Sequence, residues 1–335
     1  MKKNIFIVGL AMILGSLSSC ENNTIELPDF DYQTVYFANQ YPVRTIVLGK
    51  DAVIDNSLDN EHKVEIKATL GGTRDNRKNV IIDVEVDNSL LNGLYFPNNG
   101  SELEPLPTNY FSLSNNQITI SAGNIMGGVQ VQLTDAFFED PNALSNHYVL
   151  PLKMKSVENA DSILHTKEFV FYALKFINPW HGNYLRRGSD QMTGDVSRQV
   201  ARHATYVEQD EINKLETRSL HSVAFPVQFR DAEAGNIFAC TLLLNFDDAG
   251  KCTVSTNSPG YIATGTGNFV SNGEKNSWGN RDLDALYLDY QINYSDIDVG
   301  TGANARSITG TILSKDTLVV RDRDVSPEYF VPTTR

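Results

Sequence analysis

Short runs in which apolar and polar residues alternate recur from residue 34 to the end of the chain, and no long helical periodicity interrupts them. Val64, Ile66 and Ala68 alternate with Lys63, Glu65 and Lys67, and Ile82, Val84 and Val86 alternate with Asp83 and Glu85. Successive side chains on a strand point to opposite faces, so each run predicts a half-buried strand with one wet face. Thr34–Ala38, Thr45–Leu48, Ile118–Ile120, Val129–Leu133, Tyr148–Met154 and Phe169–Phe176 extend the series. A polar stretch with Pro97, Pro105 and Pro107 interrupts it, because proline cannot hold a central strand position. A short helical turn is expected within Ala136–Leu144. Seven or eight strands without a long helix predict an antiparallel sandwich over residues 32–177.

Asn178-Pro179-Trp180-His181-Gly182-Asn183-Tyr184-Leu185-Arg186-Arg187-Gly188 then marks a change of domain. Proline drives the preceding residue out of the helical region, and Gly182 and Gly188 bracket a short strand with Tyr184 and Arg186 on one face. At 335 residues the chain exceeds one comfortable core. Residues 178–335 predict a second unit of about eight strands, enough to close a small barrel and remove its edges. Arg186-Arg187 reads as a solvated strand face, and Trp180 as a wedge between the two units.

The first residues follow different rules. Met1-Lys2-Lys3-Asn4 is a basic start, Ile5–Leu17 is an apolar run too short to span a bilayer, and Leu17-Ser18-Ser19-Cys20 is a lipobox. A signal peptide over 1–19, acylation of Cys20 and a flexible tether over 20–31 are expected, which anchor the chain to a membrane without crossing it. Cleavage before Cys20 removes Lys2 and Lys3 and takes the formal charge from −13 to −15, with 26 basic residues against 41 acidic ones. That balance excludes tracking of a phosphate backbone, so no nucleic acid partner is expected.

Export makes a Cys240–Cys252 disulfide worth testing. A turn at Asp247-Asp248-Ala249-Gly250 would pair Phe246 with Lys251 and set Cys252 opposite Asn245, about 17 Å along the strand from Cys240 and on the other face. Both thiols are therefore expected to be free.

No catalytic or metal signature emerges. The six histidines are scattered, Asp296-Ile297-Asp298-Val299-Gly300 has its glycine one place early for a calcium loop, and Asp282–Asp289 lacks both the glycine and the terminal glutamate of chitinase-like hydrolases. No cofactor, metal or enzymatic activity is expected. Carbohydrate recognition asks for flat aromatic faces with amides and charges at their rim. Phe269–Asp282 supplies both, with Trp278 either a stacking platform or a plug over a barrel end. Tyr261 is a second loop aromatic.

The lipobox, the Tyr148-Val149-Leu150-Pro151-Leu152 strand, the Pro179–Tyr184 junction and the segments Gly265–Phe269 and Leu286–Tyr290 together resemble a family of Bacteroidota lipoproteins. In that family an immunoglobulin-like domain of unknown function precedes a lipocalin-like domain, often within polysaccharide-utilisation loci. The resemblance implies glycan capture on the outer membrane, beside hydrolases or a transporter. Glu21-Asn22-Asn23 is a thin version of the acidic tract that accompanies surface export in such bacteria. The expected glycan-binding set is Trp278 and Tyr261 for stacking, with Asn280, Arg281 and Asp282 at the rim. A protein-binding assembly module and a glycoside hydrolase are the competing readings.

Overall fold

The computed structural model describes residues 32–72, 75–230, 235–302 and 305–335; the leader, Cys20 and the tether lie outside them. The fold is all-β, with 58% strand against 9% helix.

In the N-terminal half the chain builds two sheets around one apolar core. The first orders its strands Ser162–Ile163, Thr34–Tyr36, Lys63–Gly71, Met126–Leu133 and Phe111–Leu113. The second runs Glu328–Tyr329, Pro42–Val47, Phe169–Ile177, Tyr148–Glu158, Val80–Val86 and Gln117–Ile120. Val64, Ile66 and Ala68 of the first meet Ile82, Leu150 and Phe176 of the second, as their alternation requires. The expectation of purely antiparallel pairing is corrected at three places, one of them the short parallel pair of Glu104–Pro105 with Tyr148–Val149. Thr34–Tyr36 pairs parallel with Ser162–Ile163, and Pro42–Val47 pairs parallel with Phe169–Ile177. The chain changes sheet between residues 36 and 42 instead of turning back as a hairpin, and a strand that arrives from the other sheet is free to pair in either sense.

The far face of the second sheet is not wet. Val149, Phe171 and Ala173 are buried there against Leu91, Phe96, Leu103 and Phe330. Phe330 belongs to the last residues of the chain, which leave the C-terminal sheet. Glu328–Tyr329 pairs with Pro42–Val43, and Thr333–Thr334 pairs with Leu94–Tyr95. The C-terminal end of the chain thus returns to the N-terminal half.

The C-terminal half is one antiparallel sheet of nine strands: Gly182–Gly194, Arg198–Arg202, Glu211–Ser219, Ser222–Arg230, Ile237–Phe246, Lys251–Thr256, Tyr261–Glu274, Leu283–Val299 and Arg306–Asp322. Asn183–Gly194 pairs with Gly310–Asp322, so the sheet closes on itself. On its other edge the first strand pairs with Glu211–Leu215 near its start and with Arg198–Arg202 further along. Phe225, Leu242, Leu286 and Ile292 fill the interior.

The hairpin around Gly250 corrects the expected register. Phe246 pairs with Cys252, not Lys251. Asp247 lengthens the connection: its Oδ1 accepts from the amides of Ala249 and Lys251, and Gly250 takes φ of 78°. Both thiols consequently face the interior rather than opposite faces. They remain free, six positions apart along the two strands or roughly 20 Å, and burial pushes each up to about 12.

Candidate functional site

One end of the closed sheet abuts the N-terminal half, and Arg323 is a side chain that joins the parts. Arg323 is buried and donates only to backbone carbonyls: Nε to His181 (2.8 Å), Nη1 to Lys50 (2.9 Å), and Nη2 to Leu48 (3.0 Å) and Asn178 (2.7 Å). Asn178 is equally saturated: its amide donates to the carbonyls of Ser219 and Ser222, and its Oδ1 accepts from the Trp180 amide. Gly49 sits against Pro179, whose Cβ would lie 2.7 Å from a Cβ added there, and its φ of 83° also favours glycine.

His181 lies in the same junction. Burial first, then Lys214 and Arg323, pull its pKa down from 6.5 to about 4. Nδ1 accepts the Thr217 amide at 3.1 Å, which only the neutral ring can do. The unfolded chain takes up a proton near pH 6.5, and the folded chain resists until about 4. Stability should therefore fall as pH drops through that window, by on the order of 2 kcal/mol. His181→Asn, which keeps an acceptor but does not titrate, should flatten the slope in urea unfolding measured at pH 7, 6, 5 and 4.5.

Beside this junction opens a cleft of about 660 Å³, bounded by the Lys50–Ile54 loop, the Trp278–Asp284 segment and the strap from Val320 to Ser326. Trp278 is half-buried. It packs on a cluster of Leu185, Leu283 and Val319 that lies on the outside of the closed sheet, and Val207 joins the same cluster. The Arg281 guanidinium lies over the indole, 5.0 Å from its centroid. The Trp278 Nε1 and the Ser277 Oγ are buried without a partner. Asp282 accepts from Lys275 (2.9 Å) and the Asn276 amide (3.0 Å), and the Lys275 bond leads the effects that hold its carboxyl below the usual range. Asp284 accepts from Lys50, Ser271 Oγ and the Asn272 amide. Asp324 is held low first by its bond to Lys214.

The expected residues do not converge. Trp278, Arg281 and Asp282 line one cleft, and Asn280 is exposed next to them with φ of 54°. Tyr261 opens the 14-residue strand whose other end leads to Trp278, so the two rings are roughly 40 Å apart along it. They cannot hold one short ligand together. Tyr261 is half-buried beside Tyr294, and burial pushes its phenol up to about 12. Exposed Tyr206, adjacent to Val207 and hence on the Trp278 side, was not distinguished by the sequence; a lone tyrosine in a polar loop carries no local signal.

The expected solvated face at Arg186 is corrected. Arg186 points into the closed sheet and is 1% exposed. Its Nε and Nη2 donate to Asp316 Oδ2 at 3.1 and 2.9 Å, and the Tyr290 hydroxyl donates to the same oxygen at 2.8 Å. Arg202 bridges Asp316 and Asp190, whose Oδ1 also accepts from Ser314. Gly188 makes room for this, since an added Cβ would lie 2.7 Å from Asp316 Oδ1. Burial works against the Arg186 charge, but Tyr290 and Asp316 outweigh it and raise its pKa. Two arginines and two aspartates thus neutralise one another inside the fold. Among the described residues no group of three or more His, Cys, Asp or Glu is placed to hold a metal ion.

Fold and cleft define a two-part, all-β protein whose C-terminal half is a self-closing sheet. Residues 179–324 match a family described as a domain of unknown function, DUF5627, and residues 30–161 match a second family described as an N-terminal domain. A structural-genomics protein of unknown function from Bacteroides ovatus is 42% identical with a TM-score of 0.83, over 91% of this chain and 100% of that one. The chain belongs to the family of that Bacteroides ovatus protein. More distant are a multidomain protein including DUF1735 from Bacteroides ovatus (15% identity, TM-score 0.42, 89% and 100% covered) and an auxiliary nutrient binding protein from Bacteroides thetaiotaomicron VPI-5482 (15%, 0.42, 86% and 95%). No curated protein matches the chain.

Proposed function

We propose that the chain is a non-catalytic carbohydrate-binding lipoprotein, anchored through Cys20 to the outer membrane and displayed at the cell surface. In this reading the N-terminal sheets form an immunoglobulin-like spacer and the closed sheet a lipocalin-like barrel. The protein would capture polysaccharide or oligosaccharide beside hydrolases or an outer-membrane transporter. The observation that carries the reading is Trp278: an indole fixed from behind by Leu185, Leu283 and Val319 and capped by the exposed Arg281, in a cleft rich in charged groups. Displacement of Arg281 by a pyranose would expose a flat ring flanked by hydrogen-bonding groups. Two of the carboxylates at the cleft favour binding over hydrolysis. Asp282 and Asp324 are held low by lysine partners, whereas a glycosidase needs one acid held high.

Affinity electrophoresis against xylan, mannan, pectin and amylopectin tests this. At least one polymer should retard the protein, and Trp278→Ala should weaken retardation about tenfold, a stacking loss of 1–2 kcal/mol. Uniform lack of retardation, or an unaffected variant, would remove the assignment. The assembly-module reading draws on Val53 and Ile54, 88% and 55% exposed at the cleft rim. Val53→Asp with Ile54→Asp should leave polymer retardation intact.

A further inference from the structure

The outer wall of the closed sheet continues past the cluster on which Trp278 packs, and it changes character within one step. Val319 pairs with Leu185 on one side and with Ala285 on the other, and Leu185 and Val319 of this apolar row carry the indole. Two residues further along each strand, roughly 7 Å, the same face presents Thr317, Tyr287 and Asn268 side by side. The row after that, about 14 Å from the first, is Lys315, Asp289, Thr266 and Thr253. Both polar rows line a groove of about 1020 Å³ that runs across the strands.

The chain carries a formal net charge of −13, yet the charges lining this groove cancel. Lys315 Nζ lies 2.7 Å from Asp289 Oδ2, and the Asp316 carboxylate is turned inward to Arg186 and Arg202. Lys251 balances Asp247, whose Oδ1 is already taken by two backbone amides. Tyr287 is half-buried, and its hydroxyl donates to Glu274 Oε1 at 2.8 Å, which holds the ring in one orientation. Thr253, Thr266 and Asn268 are exposed, and among the described residues their side chains have no partner. Free hydroxyls and an amide around one fixed ring, without net charge, match a neutral polyhydroxyl chain. Its hydroxyls find donors and acceptors, and no charge has to be stripped of water. A polyuronate would gain no counter-charge here and would be repelled by the acidic remainder of the molecule.

We propose that this groove continues the Trp278 site and that its ligand is a neutral polysaccharide, which lies along the outer wall from Trp278 over Tyr287 to Asn268 and Thr266. The inference rests on the carbohydrate reading above and adds to it the class of glycan and a dependence on chain length. A disaccharide on Trp278 reaches only the apolar row and its edge. A longer chain also gains the two polar rows, so affinity should rise with length.

The test compares xylan, mannan and amylopectin with pectin, the acidic member of the panel, in affinity electrophoresis. Titration calorimetry then takes the disaccharide and the octasaccharide cut from whichever neutral polymer retards the protein. Pectin should not retard it, and the octasaccharide should bind at least tenfold more tightly than the disaccharide. Thr266→Val with Asn268→Ala changes two exposed positions and should leave the melting temperature and the disaccharide affinity unchanged. That variant should lose about tenfold on the octasaccharide, whereas Trp278→Ala should weaken both ligands. Retardation by pectin alone, equal affinity for the two lengths, or full octasaccharide binding by the Thr266/Asn268 variant would overturn the extended neutral site; if Trp278→Ala still weakened binding, the carbohydrate reading would stand. No retardation by any polymer would overturn both.

Discussion

Replacing Asp316 by alanine is expected to destabilise the C-terminal half by about 3–5 kcal/mol, the cost of leaving a buried charge without its partner. Asp316 accepts from Arg186, Arg202 and Tyr290. Its removal strands the Arg186 guanidinium, which is 1% exposed, while Arg202 keeps Asp190. Asp190 is held by Arg202, and Glu211, half-exposed and 3.9 Å from Arg186 Nη1, is too distant and too wet to make good the loss. The paired substitution Arg186→Met with Asp316→Leu removes both charges and should cost much less than Asp316→Ala, in line with the near-neutrality of replacing whole buried pairs by apolar groups. Arg202 would then depend on Asp190 alone, which it already contacts. Urea unfolding followed by tryptophan fluorescence separates the outcomes. Equal destabilisation by the single and paired substitutions would show that shape, not charge balance, governs the interior.

Arg323→Ala is the second large effect. Four carbonyls, of Leu48, Lys50, Asn178 and His181, lose their donor together. Each is near the join, and an unsatisfied buried acceptor costs roughly 1–3 kcal/mol. Water entering the opened junction would satisfy part of the set, so a net loss of about 3 kcal/mol is expected. Loosening should be local as well as global: the Lys50–Ile54 loop, tied to the closed sheet through Lys50, should become cleavable by protease before the rest of the chain unfolds. Arg323→Lys retains the charge but not the planar fork, and should recover only part of the loss. Simultaneous global unfolding without early loop cleavage would mean that Arg323 does not act as the joint.

Both effects depend on residues the chain order conceals. Period-2 alternation correctly put Tyr184 and Arg186 on one face, yet gave no sign that this face was the inner one, because the acid that makes burial tolerable is 130 positions away. Charged residues are almost never buried unless paired, so a sequence without its pairing table reads them as solvated. The length of the Tyr261–Glu274 strand was hidden in the same way. Gly265 and Gly267 look like breaks, but they face Tyr290 and Leu288 across the pair, where a Cβ would collide. Reading through them shows that Tyr261 and Trp278 sit at opposite ends. The hairpin at Asp247 slipped by one residue because a side-chain cap, not the turn length, sets its register.

Local alternation and proline and glycine placement were enough, without coordinates, to establish an all-β chain, and the cysteines are free as expected although the register behind that expectation was off by one. Each of those depends on neighbours a few residues apart. Which strand face is dry, which arginine is a joint and which aromatic lies on a cleft depend on contacts between distant segments: the return of Phe330 to the N-terminal sheets, the closure of Asn183–Gly194 on Gly310–Asp322, the docking of Leu48–Lys50 on Arg323. Burial is a property of where segments meet, and only the tertiary structure decides that.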